Sequence, residues 1–500
     1  MSKRAVVIGA GFAGLSQAAI MAHRGYDVTL LEKNETTGGR AREWKSEGFT
    51  FDMGPSWYLM PEVFDEIFKL VGKRREDYFE LKQLSTYYKV YFEDAEPVSV
   101  DSDLERTKRL FDSFEPLGGK RLEQYLEQAK YKYDVAMKEF LYKEYRSIFQ
   151  FLNWRMMTEG LKLHIFTGMN AFVERFFKDR RAKQILEYAM VFLGTSPEDA
   201  PALYSIMSHV DLNLGVFYPE GGLAGAAKGF RKLAEDLGAR VLTGKEVTGY
   251  EFDGSRVSAV LCGDERFEAD VIVNSADYHH ADQELLPPEK SRYTPRYWKK
   301  RTVAPSMFIL YLGIGRRLKS FEHHNLYFSK EWDAHFDTIF KHPAWPENPC
   351  FYLSCNSKTD PTSAPEGCEN VFVLVPVAPG MDDSDAVRET YAETVLKHIE
   401  AVSGEDLHSD VIVKRIYSHR DFTEDYHAFQ GTALGLAHTL FQTAIFRPSH
   451  RSKKIKNLYY TGQFTHPGVG VPMTLISSQV VADEIDREGA KRPAPQPQPS

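Results

Sequence analysis

Three glycines near the N-terminus have the spacing of a phosphate-binding turn. Gly9-x-Gly11-x-x-Gly14 follows the apolar run Ala5-Val6-Val7-Ile8 and opens a helical stretch, Leu15 to Arg24, that ends at Gly25. The first glycine permits a sharp turn, the second lets a pyrophosphate approach the backbone, and the third lets helix and strand pack closely. The helix N-terminus then presents free N–H groups and a partial positive charge to phosphate oxygens. Glu32 ends a second apolar run, Val28 to Leu31, eighteen residues beyond Gly14. A carboxylate there can accept hydrogen bonds from a ribose diol. Strand, turn, helix, strand and acid in this order predict a dinucleotide site on a βαβ unit with a parallel sheet.

A second glycine pair, Gly38-Gly39, precedes Arg40, and Phe51-Asp52-Met53-Gly54-Pro55 adds a turn with a carboxylate. A second glycine turn with a fixed cation suits a longer, more enclosed cofactor than NAD. Near the other end, Asn457-Leu458-Tyr459-Tyr460-Thr461 runs into Gly462-Gln463-Phe464-Thr465-His466-Pro467-Gly468-Val469-Gly470-Val471-Pro472-Met473. That is a strand, a glycine turn, a proline-rich loop and a helix N-terminus. The N-terminal part resembles flavoproteins of the amine oxidase superfamily. The run Gly-x-x-Thr-His-Pro-Gly-x-Gly-x-Pro resembles the C-terminal signature of bacterial-type carotenoid (phytoene) desaturases, with Gln463 and Phe464 standing where that family usually has small residues. In the middle, Phe217-Tyr218-Pro219-Glu220-Gly221-Gly222 resembles the family's aromatic-Pro-x-Gly-Gly turn. The likeness spans residues 1–488 and is loosest between residues 100 and 210.

The resemblance implies FAD as cofactor. It implies that Gly39 and Arg40 lie near the flavin phosphates or ribityl chain, with Gly54 beside them, and that the backbone of Val247 meets the adenine. Gly462, Val471, Pro472 and Met473 would close over the flavin from the far end of the chain. The dipole of the last helix would favour negative charge on a reduced ring. The implied reaction is dehydrogenation of an acyclic carotenoid precursor such as phytoene. A hydride leaves a CH2–CH2 unit flanked by double bonds, a proton leaves the neighbouring carbon, and oxygen or a quinone is the final electron acceptor. The cofactor carries that chemistry, so the protein needs no nucleophile and no metal ligands. It needs a dry apolar tunnel, with selectivity from length and shape.

Arg155, in the apolar stretch Ile148 to Met157, is the candidate catalytic residue, able to steer charge or protons; snorkelling from an amphipathic helix is its plainer reading. His466, beside the flavin loop, could take a proton or simply order that loop. A lipid-soluble substrate predicts a peripheral site on the cytoplasmic side of a membrane. Ile165, Phe166, Met169, Phe172, Val173, Phe176 and Phe177 would form one face of a helix, followed by Lys178, Arg180, Arg181 and Lys183. Lys290 to Arg301 holds six cations and three aromatics with no acid, which suits anionic headgroups. Core packing and an ordinary solvated face explain these two segments equally well.

The elements that must position these groups belong to an α/β chain. The fold class expected is a discontinuous Rossmann-like FAD-binding domain, a mixed β-sheet substrate domain and a helical membrane-associating subdomain. Residues 1–85, 219–280 and 445–488 are assigned to the first. Residues 86–135, 281–312 and 345–444 are assigned to the second, 136–218 and 313–344 to the third, and 489–500 to a disordered Pro/Gln-rich tail. The chain has 500 residues, 43% hydrophobic and 26% charged, which excludes a disordered or fibrous protein. A formal charge of −8 argues against a nucleic-acid partner. Four cysteines make no disulfide framework. No signal peptide and no apolar run long enough to span a bilayer are expected. The oligomeric state is left open, with a homo-oligomer as one possibility.

Other functions compete. Within the resembled family stand a late-pathway desaturase of hydroxylated carotenoids and a carotenoid or retinoid isomerase or saturase. An amine oxidase shares the N-terminal motifs, but no cysteine follows Cys368, so a C-terminal cysteinyl-flavin is impossible. A non-catalytic carotenoid-binding protein on a flavin fold is disfavoured by the intact glycine set, Glu32 and Arg40.

Overall fold

A five-stranded parallel sheet joins three distant parts of the chain. Its order is Leu458–Tyr460, Val271–Asn274, Arg4–Ile8, Asp27–Leu31 and Arg240–Leu242. The computed structural model describes residues 2–143 and 163–490. Arg155, the Ile148 to Met157 stretch and residues 491–500 of the expected tail lie outside the described residues.

The strands are apolar without alternation because both faces of the sheet are covered. Ala5, Val7, Val28, Leu30, Val271 and Val273 face one core with the helices Phe12–His23, Gly222–Asp236 and Val471–Ala490. Val6, Ile8, Leu31, Ile272 and Tyr460 face the other, against the antiparallel strands Gly249–Asp253, Arg256–Cys262 and Glu265–Glu268.

A seven-stranded mixed sheet forms the second layer. Its order is Val411–Tyr417, Ser306–Ile314, Glu369–Val377, Phe351–Ser354, His324–Phe328, Thr86–Phe92 and Ala95–Asp101. All neighbours are antiparallel except His324–Phe328 with Thr86–Phe92. The two central strands, Ser306–Ile314 and Glu369–Val377, are buried throughout. Phe308, Leu310, Val373 and Val375 pack under the helix Asp385–Ser403, while Met307, Ile309 and Leu374 point the other way, into the cavity described below. The strand His324–Phe328, in a stretch the sequence assigns to the helical part, is thus a member of this sheet.

The helix expected over Ile165 to Phe177 shrinks to Met169–Val173. Met169, Phe172, Val173 and Phe177 are buried in the main core, and Arg180, Arg181 and Lys183 pair with Asp94, Asp179 and Glu174. Those four residues are core, whereas Phe166 of the same expected face is 79% exposed. In the other basic segment Trp298 is 1% exposed and Tyr293 and Tyr297 pack against the same cluster, so its aromatics are core too. Among the described residues no helix is long and apolar enough to cross a membrane.

Candidate active site

The two ends of the chain meet at one cavity of about 1110 Å³. The helix Phe12–His23 packs along Val471–Ala490, with Ser16 Oγ 2.8 Å from Ser478 Oγ. A Cβ added to Gly462 would lie 3.7 Å from the Ala13 Cβ. Gly9, Gly11, Glu32, Gly39, Arg40 and Gly54 line the cavity from the first end of the chain and Val247 from the middle; Gly462, Val471, Pro472 and Met473 line it from the last.

Gly14 stands behind that wall and sets it. A Cβ there would sit 1.9 Å from the Gly9 carbonyl oxygen, so only glycine allows the helix to pack on the turn. The second glycine pair lies on the first: the Gly38 amide donates to the Ala10 carbonyl at 2.8 Å, and a Cβ on Gly39 would come 3.1 Å from the Gly11 Cα. The helix at Gly11 has no side-chain cap and no acid in its first turn. Its first amides therefore keep their donors for an anion at the cavity wall. The last helix begins at Val471, three residues before the expected Thr474, and it too directs its N-terminus at the cavity. Pro472 fits that first turn because an amide there would have no intrahelical partner.

Glu32 is 5% exposed. Its carboxylate accepts from the Ala10 amide at 2.7 Å and from the Asn34 amide and side chain at 2.9 and 3.0 Å. A carboxylate can accept about four hydrogen bonds, which leaves one acceptor position. The Arg40 guanidinium lies 5.0 Å from the Tyr426 ring and reaches the Thr432 carbonyl at 3.5 Å; its buried Nε has no partner among the described residues. Burial lowers the Arg40 pKa, and the Asp277 carboxylate opposes that shift. Burial in turn raises Asp277 to about 6, against Arg40 and the amides of Phe429, His280 and His279. Asp52 ties two sequence motifs together. It accepts from the amides of Leu223 and Ala224 at 3.2 and 3.0 Å, so the carboxylate of the Phe51 to Pro55 turn caps the helix that follows Gly221-Gly222.

Four features were not legible in the sequence. Arg447 is 4% exposed and donates only to carbonyls, among them Gln463 at 2.7 Å, Thr465 at 3.1 Å and Phe464 at 3.2 Å. Burial lowers its pKa to about 10, so it stays a cation clamping the Gly462 loop. His438 accepts from the Val469 amide at 3.0 Å through Nε2, which puts its proton on Nδ1, 2.7 Å from the Tyr204 hydroxyl. The third is a polar chain in the cavity wall. Tyr352 donates to Ser56 Oγ at 2.9 Å and accepts a hydrogen bond from His324 Nδ1–H at 2.7 Å, while Trp57 stacks on His324 at 4.6 Å. The fourth is Asp211, 4% exposed, which accepts from Tyr188 at 2.9 Å and Tyr88 at 3.3 Å. Tyr188 lines the cavity. His466 proves a loop anchor: its Nε2 lies 3.2 Å from the carbonyls of Phe140 and Leu141, and burial lowers its pKa to about 3. It also lines the cavity, neutral at physiological pH and a weak proton acceptor. The family-atypical Phe464 fills the core beside Trp298, and Gln463 packs on Gly435, where a side chain would crowd it.

The profile of flavin containing amine oxidoreductases matches residues 12–486. The chain belongs to that family. It is 44% identical over 482 residues to the carotenoid 3,4-desaturase of Haloarcula japonica, covering 96% of this chain and 97% of that one. It is 34% identical over 488 residues to a zeta-carotene-forming phytoene desaturase of Myxococcus xanthus, covering 97% and 94%. These relatives place it in the carotenoid desaturase branch of the family. An oxidoreductase structure from Methanosarcina mazei shares the fold, with a TM-score of 0.64 at 15% identity over 96% of this chain and 100% of that one.

The enzyme is an FAD-dependent oxidoreductase, and its residues fit the cofactor. The Gly11–Gly39 cradle is free of side chains, the Phe12–His23 helix starts at it, the last helix starts in the wall of the same cavity, Glu32 has an acceptor position left and Arg40 an unused donor. FAD, when bound, supplies the hydride acceptor. The chain's own residues do the rest. The glycine turns and the Phe12–His23 helix would hold the pyrophosphate, Glu32 a ribose, and Arg40 the phosphates or ribityl chain. Met307, Ile309, Leu374 and Phe192 keep the opposite side of the cavity apolar and dry.

Proposed function

We propose that this enzyme desaturates an acyclic carotenoid, transferring a hydride from a CH–CH unit to FAD inside the cavity. The observation that carries the reading is the cavity itself. Its nucleotide side is made of glycine backbone, Glu32 and Arg40, and its far side is a largely apolar sheet face, with no cysteine among the described residues that line the cavity. Cys350 and Cys355 are buried, and burial raises the Cys350 thiol to about 12 and the Cys355 thiol well above its ordinary range. The substrate would then be gripped by shape alone along most of its length. The proton lost from the neighbouring carbon leaves to solvent or to a weak acceptor on the wall, and oxygen or a quinone reoxidises the flavin. The assay is expression in a host that accumulates phytoene, with pigments separated by chromatography. A longer conjugated chain supports the reading; an amine that drives rapid peroxide release in place of any pigment change overturns it.

A narrower reading concerns which carotenoid. The 44% relative is named a 3,4-desaturase, and the Ser56–Tyr352–His324 chain puts two hydroxyl-bearing residues, Ser56 and Tyr352, into the cavity wall. The name favours a desaturation at the 3,4 position, and the polar chain favours a late substrate with a hydroxylated end over phytoene, whose hydrocarbon chain has nothing to bond there. Supplying phytoene and an end-hydroxylated carotenoid side by side tests this: conversion of the hydroxylated chain alone supports it, and equal conversion of both defeats it.

A further inference from the structure

Dehydrogenation leaves a proton to be placed, and most carboxylates that line the cavity are already engaged on its nucleotide side. Amides hold Glu32 and Asp277, Asp425 pairs with Arg42, and Glu246 bonds His427. On the apolar side, one hydroxyl leads to a buried carboxylate. Tyr188 lines the cavity there, its ring packed 6.0 Å from Trp57 and 6.4 Å from Phe192. Its hydroxyl donates to Asp211 Oδ2 at 2.9 Å, and Tyr88 donates to the same oxygen at 3.3 Å. Asp211 Oδ1 is buried and meets no hydrogen-bond partner among the described residues.

The setting of Asp211 is costly. The strongest influences on its charge are burial, the two hydroxyls and the amides of Leu212 and Asp211 itself. A carboxylate held this way without a cation destabilises the fold. It sits in the π-helical turn Val210–Leu214, whose Val210 also lines the cavity, and such turns are frequent at functional sites. Tyr87 and Tyr125 are further titratable groups that feel Asp211, and burial raises both, as it raises Tyr88 and Tyr188. Glu187, next to Tyr188 in the chain and raised to about 8 by burial, also acts on Tyr125.

We propose that the Tyr188 hydroxyl takes the proton released in desaturation and passes its own to Asp211. This rests on the desaturase reading above. Once a hydride has left to FAD, the neighbouring C–H is acidic enough for a phenol oxygen to accept from it. Its electron pair becomes the second bond of the new double bond, the substrate proton bonds to Tyr188 Oη, and the original Tyr188 proton bonds to the Asp211 carboxylate. After the product leaves, the same steps in reverse return a proton to water entering the cavity. Asp211 meets no substrate; it is the positioning residue that keeps the Tyr188 oxygen ready to accept.

The test is steady-state turnover by the FAD-loaded full chain, on phytoene or an end-hydroxylated carotenoid, whichever the wild type converts. Tyr188→Phe and Asp211→Asn should each lower kcat by about a hundredfold and leave KM within about threefold. In the wild type kcat should rise with pH through about 7, since only the carboxylate can take the proton; in Asp211→Asn that limb should be gone. Glu187 and Asp277 stay in both variants, so a change in the limb reports Asp211. FAD absorbance should be kept, and Asp211→Asn should melt no lower than wild type, so lost turnover there is not lost folding. Tyr133, which also lines the cavity and bonds the exposed Glu62, is the rival acceptor. A loss confined to Tyr133→Phe, or wild-type kcat and an unchanged limb in the Tyr188 and Asp211 variants, would overturn the assignment and leave the desaturase reading intact. A wild type that changes no carotenoid would defeat that reading and the assignment with it.

Discussion

The side of the cavity proposed to hold the cofactor and the side proposed to hold the substrate are built by opposite means. The cofactor side is backbone: Gly9, Gly11, Gly14 and Gly39 leave a surface without side chains, and helix ends supply the polarity. Each position there is governed by a local rule about turns and packing, so the residues are contiguous in sequence. The substrate side is made of side chains from separate strands and loops, Met307, Ile309, Tyr352, Leu374 and Tyr188 among them. Its rule is shape, which no short motif encodes. Cofactor binding should therefore fail abruptly under small changes, while substrate preference should drift.

The largest effect expected on the cofactor side comes from Gly14→Ala. The new methyl would lie 1.9 Å from a backbone oxygen that has no room to move. We expect a cost of about 3 kcal/mol or more and protein purified without the flavin absorbance band. Retention of a full complement of FAD would break the comparison. Next is Arg447→Met, which leaves the Gln463, Phe464 and Thr465 carbonyls buried without donors. A loss of roughly 3 kcal/mol is expected, read by denaturant unfolding, with FAD retained less well than in wild type.

Tyr352→Phe probes the substrate side. Removing one hydroxyl from the Ser56–His324 chain should leave FAD content unchanged and shift preference between hydroxylated and hydrocarbon carotenoids by about tenfold. An unchanged ratio of products would place the recognition elsewhere. The smallest effect on folding is Asp211→Asn. Burial raises Asp211 to about 7 against the pull of the Tyr188 and Tyr88 hydroxyls. A carboxyl whose folded pKa lies above its unfolded value destabilises the fold when ionised. That cost is full above about pH 7, shrinks as pH falls, and vanishes below the ordinary value of 3.8. The variant should therefore be more stable than wild type by on the order of 1 kcal/mol at pH 8, with the gap narrowing at pH 5 and closing near pH 4. Melting curves at these pH values that run parallel would refute the assignment of a buried, strained carboxyl.

The same contrast separates what was legible from what was not. The Ala5 to Ile8 strand, the Gly9 turn and Glu32 could be read directly because each depends on neighbours a few residues away. The strand Leu458–Tyr460 and the helix after it were legible for the same reason. The Ile165 to Phe177 face could not be resolved from spacing, since core and bilayer bury apolar residues alike; Met169, Phe172, Val173 and Phe177 are core and Phe166 is exposed. Arg447 and His438 carried no signal, since an arginine that bonds only carbonyls and a histidine that reads one amide belong to no pattern in the chain.

The amino-acid sequence alone pointed to the family and to the glycine turns that line one side of the cavity, because glycine spacing, strand apolarity and a terminal acid act over short range. Tertiary structure decided that the two chain ends share a sheet and a helix pair, which apolar residues are core, and which side chains line the cavity. Those outcomes depend on which surfaces find partners across hundreds of residues, and burial is a property of the assembled molecule.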